Sequence, residues 1–183
     1  MAPISKRHPL YRWFAGLVET SFQSQIGLAE PALLDYITEL LTEFIHMERI
    51  NELTDGSGRR IEEVARMLAE AEIGAGATDE NRRRSMHRHI GDFTLFWTGL
   101  YPENLRRMRR RRAKDELISY LDQGKRSYAI ASDLSDGTTK PPAKLLSTLS
   151  SEFECCVYGL GLVRRQWEQG GPGSFPPATI IWS

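Results

Sequence analysis

The sequence predicts an all-α fold, a single-domain bundle of about six helices with one helix enclosed by the rest. Three observations predict it. Apolar residues recur at the helical period in segment after segment, and prolines and glycines fall mostly between those segments. The stretch from Met86 to Tyr101 is apolar on nearly every side, which places it in the interior with neighbours on both flanks.

The first helix is expected to open at Pro9, a favourable first-turn residue, and to run to about Ile26. Leu10, Phe14, Leu17, Val18 and Ser21 share one face, with Trp13 and Phe22 at its margins. Gly27 ends it and Pro31 starts the second helix, which continues to about Leu53. Leu33, Ile37, Leu40, Leu41, Phe44 and Glu48 line one side; Asp35, Glu39, Thr42, His46 and Arg49 line the other, the pattern of a surface helix. A turn at Thr54-Asp55-Gly56-Ser57-Gly58 leads to a third helix, from Arg59 to about Ile73, with Ile61, Val64, Ala65 and Leu68 inward.

Gly74 to Ala77 reads as a short link and Thr78 as an N-cap, with Asp79 and Glu80 suited to the positive end of the helix dipole. The central helix follows. Its first turns, with Arg82, Arg83 and Arg84, are expected in solvent, and Met86, Ile90, Phe93, Phe96, Trp97 and Leu100 form its broad stripe. Leu95 falls on the far side, and Pro102 ends the helix by restricting the residue before it and removing a donor.

Asp115 opens the next helix, on which Leu117, Leu121, Gly124, Tyr128 and Ala131 align, with Tyr120 adjoining. Glycine at position 124 costs about 1 kcal/mol relative to alanine, so close approach of another backbone, at Gly91 or Gly99, is expected there. Ser135 to Pro142 is a loop. One long last helix is then expected from Ala143 to Gln169, carrying Leu145, Leu149, Phe153, Cys156, Leu160, Val163 and Trp167 on one face. Residues 170–183 form an apolar, non-helical tail, with Thr179 to Trp182 the one stretch suited to a strand. Phe175 and Ile180 to Trp182 are expected to dock, on this subunit or on a second copy as a homodimer.

Gly91-Asp92, Leu95-Phe96, Gly99 and Tyr101-Pro102-Glu103, followed by Tyr120, Gly124-Lys125 and Tyr128-Ala129, resemble a pattern in a group of uncharacterised all-helical bacterial proteins. The resemblance covers about the middle quarter of the chain. It implies a helical fold and carries no activity, cofactor or catalytic residue with it.

Composition narrows the functional classes. At 183 residues, 40% hydrophobic and 26% charged, the chain can bury a real core without metal or disulfide support. Its 24 basic and 24 acidic residues cancel, so whole-molecule attraction to nucleic acid or membrane is not expected. The N-terminus has no apolar stretch of the signal-peptide kind, and no run is long enough to span a bilayer. Adjacent Cys155 and Cys156 cannot staple a fold, which suits a reducing, cytoplasmic setting.

Five candidate sites remain, each set against a structural role. Glu43 and His46 have the Glu-x-x-His spacing of di-iron bundles, but His46 points away from its helix's apolar stripe and no second such pair exists; no metal or cofactor is expected. His89 and Asp92 lie along one edge of the central helix and suit an acid–base or metal-ligand pair. The structural role is favoured for them: a buried carboxylate needs partners, and Tyr120, Lys125, Tyr128 or an arginine can serve. His87 falls on a polar face. Cys156 falls in the core stripe and Cys155 off it, without an activating base nearby.

Arg106, Arg107, Arg109, Arg110, Arg111 and Arg112 form an anion-binding candidate, with a solvated helix connection as the structural alternative. Aromatic interleaving is absent, so nucleic acid is not an expected partner. Trp13, Phe93, Trp97, Tyr120 and Tyr128 are the candidate lining of a groove for a partner helix or a small apolar molecule. The expected function is therefore a non-catalytic interaction or ligand-binding module, with enzyme or metal chemistry at His89 and Asp92 and anion binding as alternatives.

Overall fold

A computed structural model of the chain describes residues 5–45, 64–74, 77–103 and 119–170. These residues form an all-α bundle: α1 (Pro9–Val18), a π-helical continuation (Glu19–Ile26), α2 (Pro31–Ile45), α3 (Val64–Ile73), α4 (Glu80–Leu100), α5 (Tyr120–Asp133), α6 (Ala143–Ser151) and α7 (Phe153–Gln169). No strand occurs among the described residues. The turn at 54–58, the start of the third helix, the arginine run at 106–112, Asp115, His46 and the C-terminal tail beyond Gly170 lie outside them.

The enclosed helix is α4, as its apolar girth predicts. It packs on α5, α7, α3 and α2, and Ile90, Phe96 and Leu100 on the stripe are fully buried together with Leu95 on the far side. Phe96 meets Trp97 edge-on at 5.4 Å between ring centroids, and Phe44 of α2 lies 4.8 Å from Phe96. Asp79, rather than Thr78, caps the helix: its side chain accepts from the backbone N–H of Asn81 and of Arg82. At the other end Arg164 of α7 donates to the Leu100 carbonyl at 2.7 Å, satisfying an acceptor that the helix terminus leaves open.

Three helix boundaries differ from expectation. α5 opens at Tyr120 and is not continuous from Asp115: Ser119 is its N-cap, and the Ser119 hydroxyl accepts from the Asp122 backbone N–H. The first helix is α-helical only to Val18; beyond it the turns widen to π geometry until Gly27, whose φ of 85° closes the segment in the left-handed region. Ser21 and Phe22 are both buried in that segment, and Phe22 lies against Gly159 of α7. The expected single last helix is two helices, α6 and α7, broken at Glu152. Ser150 donates to the Lys125 carbonyl of α5 and Ser151 to the Thr148 carbonyl, so hydroxyls compete for acceptors at the point where the chain turns. Leu145, Leu146, Leu149 and Phe153 are all buried on the two sides of the break.

Glycines set how closely the helices approach, though by a different contact from the one expected. Gly124 faces the Phe153 ring and the Thr94 hydroxyl, Gly91 faces the Tyr128 ring, and Gly99 faces Leu160. Each makes room for a side chain rather than for another glycine backbone. Together these contacts run α5 antiparallel and α7 parallel to α4.

Candidate functional site

Asp92 is fully buried in the middle of α4. The helix turns it toward α2 and α5, and each supplies a tyrosine. Tyr36 donates its hydroxyl to Asp92 Oδ1 at 2.5 Å, and Tyr128 donates to the same oxygen at 2.7 Å. Arg88, one turn earlier on α4, brings Nε to 3.7 Å from Oδ2. Burial, reinforced by the Asp92 charge beside it, pushes the Tyr128 hydroxyl well above its ordinary pKa, so the phenol keeps its proton and acts as a donor. This is the partner arrangement a buried carboxylate requires. Tyr128 was legible as a partner; Tyr36 was not, because it belongs to a helix more than fifty residues away. Lys125, another of the expected partners, pairs instead with Glu154 at 2.8 Å.

His89 is buried next to a different part of α2. Its ring lies on Phe44, at 6.2 Å and 26° between planes, and 6.4 Å from Phe93. Phe44 and Tyr36 are eight residues apart, about 12 Å along the helix. The imidazole therefore sits among aromatic rings, and the carboxylate sits among phenols.

The aromatic residues of the expected groove divide in the same way. Phe93, Trp97, Tyr120 and Tyr128 are buried in the core, where the Phe93 and Trp97 rings meet at a tilt, 6.2 Å apart, and Tyr128 packs on Phe153. Trp13 is half-buried on α1, edge-on to Trp167 of α7 at 5.8 Å. The structure thus unites four of these residues in the core and packs the half-buried Trp13 against Phe14 and Trp167 at the edge of that same core.

Two polar residues are buried where the sequence placed them in solvent. Arg84 is 5% exposed: Nε donates to Ser135 Oγ at 2.6 Å, and the guanidinium also reaches the carbonyls of Lys140 and Pro141 at 3.4 and 2.6 Å. It fastens the 135–142 loop to α4. His87 is 1% exposed, with Nε2 2.8 Å from Glu72 of α3 and Nδ1 3.5 Å from Ser127 of α5. Burial lowers its pKa, and the Glu72 carboxylate offsets part of that shift. Arg84 was expected in solvent with the first turns of the helix and His87 on a polar face; the loop and α3 that cover them decide otherwise, and neither leaves a local signal beside residues 84 and 87.

A cleft of about 680 Å³ opens above this node. Ala32, Asp35, Tyr36, Glu39 and Glu43 of α2 form one side; Arg88 of α4, Lys140, Pro141 and Pro142 of the loop and Leu145 of α6 form the rest. Tyr36 and Arg88, the two groups that reach Asp92 from this side, are part of its lining. Asp35 is already committed, to Lys6 at 2.6 Å and to the Tyr11 hydroxyl at 3.3 Å.

Cys156 is buried and burial pushes its thiol up to about 12, while burial and Glu152 also raise the exposed Cys155, so neither presents a reactive thiolate. Among the described residues no group of three or more His, Cys, Asp or Glu is arranged to hold a metal ion, and no helix is long and apolar enough to cross a membrane. No protein family model, curated protein or solved structure matches the chain.

Proposed function

We propose that the chain is a non-catalytic binding protein, whose contact with a small ligand or a partner segment lies in the cleft between α2 and the 135–142 loop. One observation carries this reading: the acid of the central helix is fully buried and accepts from two tyrosines. A general base must reach the proton it abstracts, and a carboxylate enclosed in this way offers no such approach. His89, flat against Phe44, belongs to the same packed interior. The aromatic row serves as core, and the cleft combines apolar surface with a few charged groups, the usual make-up of a binding site.

Native mass spectrometry of the full chain purified from its own host tests this. The expected result is a non-covalent adduct, one molecule or one partner per chain, released on collisional activation. A bare chain would overturn the reading. So would turnover of a metabolite in host extract that His89→Gln abolishes while leaving the unfolding midpoint unchanged, since that would establish chemistry at the central helix.

A further inference from the structure

The charged groups lining the cleft are unequally committed. Asp35 is held by Lys6, and Arg88 lies beside Asp92. Glu43 engages a group of its own, and two charged side chains remain that make no hydrogen bond or ion pair among the described residues: Glu39, half-buried on the α2 wall, and Lys140, on the loop wall. They are of opposite sign and on different walls. The surface they share is apolar, made by Ala32, Pro141, Pro142 and Leu145. The loop carbonyls at 140 and 141 accept from Arg84, so the loop wall offers the Lys140 ammonium and proline rings. Arg84 also holds that wall in place before any ligand arrives, which lowers the ordering cost of binding.

We propose that this cleft binds a small zwitterion, a short aliphatic chain with an ammonium group at one end and a carboxylate at the other. The ammonium pairs with Glu39 and the carboxylate pairs with Lys140. The methylenes cover the prolines and Leu145. A simple cation or a simple anion would satisfy one wall while desolvating the unmatched charge of the other, which is unfavourable. The volume of about 680 Å³ suits a small molecule. This inference rests on the non-catalytic binding reading and specifies its ligand class.

The test titrates the intact chain with 5-aminopentanoate, pentylamine and pentanoate at low ionic strength, by calorimetry and ligand-observed NMR. 5-Aminopentanoate is expected to saturate at one site, with the two singly charged probes weaker by about tenfold or more, the loss of one charge-assisted contact. Glu39→Gln and Lys140→Gln are each expected to weaken the zwitterion by a similar factor, with unchanged unfolding midpoints. Pentylamine binding as tightly as 5-aminopentanoate, indifferent to Lys140→Gln, would overturn the zwitterion and leave a binding protein for cations. Failure of all three probes to saturate would overturn the ligand class, while the native adduct decides the binding reading separately. Conversion of a probe to a new species would overturn the non-catalytic reading itself.

Discussion

Asp92 keeps its carboxylate in the interior because two phenols donate to one of its oxygens and a guanidinium lies near the other. Removing either phenol leaves that charge under-satisfied without changing the packing volume much. Tyr36→Phe and Tyr128→Phe are each expected to destabilise by about 1–3 kcal/mol in urea unfolding. Because both donate to the same oxygen, the double variant should depart from additivity by about 0.5 kcal/mol or more; strict additivity would show that the two bonds are independent. His87 gives the molecule an acid-sensitive point. Its folded pKa is lowered from 6.5 by burial, so the unfolded chain binds the proton more readily. Stability from this group is complete above pH 6.5 and falls as the pH drops toward the lower folded value. Glu72, which burial alone would raise but Arg83 and His87 lower below 4.5, loses its contribution only at still lower pH. Thermal unfolding against pH should therefore show a decline beginning near 6.5 that His87→Gln flattens; an unchanged slope in the variant would assign the decline elsewhere.

At the scale of helices, spacing is set where glycines face side chains. A Cβ at Gly91 would come within 2.7 Å of the Tyr128 ring, and one at Gly124 within 2.3 Å of Phe153. Alanine at either position gains about 1 kcal/mol of helix propensity but overpacks α4 against α5 or α5 against α7, at a cost of about 1–3 kcal/mol. A net loss of stability is expected for both. Gly16 on α1 has open space around it, so Gly16→Ala is expected to stabilise by up to about 1 kcal/mol. Equal effects at 16, 91 and 124 in denaturant unfolding would show that propensity alone governs these helices. Arg84 ties the 135–142 loop to α4, and Arg84→Met is expected to cost about 1.5–3 kcal/mol and raise amide exchange in that loop. Unchanged exchange would mean the loop is held by its own turn bonds, such as those from the Thr138 and Thr139 backbone N–H groups to Asp136.

For the molecule as a whole, α4 is the common wall against which α2, α3, α5 and α7 are assembled. Its burial follows from its composition, since no face of Ile90, Phe93, Leu95, Phe96 and Trp97 can be left in water without exposing a large ring or a branched aliphatic chain. The cleft has the opposite origin. It exists because a loop tied to α4 stands apart from α2, and its lining draws on three separate parts of the chain. Its charges come from residues that read singly as ordinary surface positions.

The sequence by itself determined the all-α class, the enclosed helix, most inward faces and the need for a partner at Asp92. Those follow from periodicity and from the cost of burying charge, which act within one segment. Tertiary structure alone decided that Tyr36 joins Tyr128 as a partner, that Arg84 and His87 are covered, and that the last helix breaks at Glu152. It also decided that the prospective aromatic groove residues of α4 and α5 are core while Glu39 and Lys140 share a cleft. Each of these depends on which distant segment comes to lie on a given face, and helical period fixes the direction of a side chain without fixing what it meets.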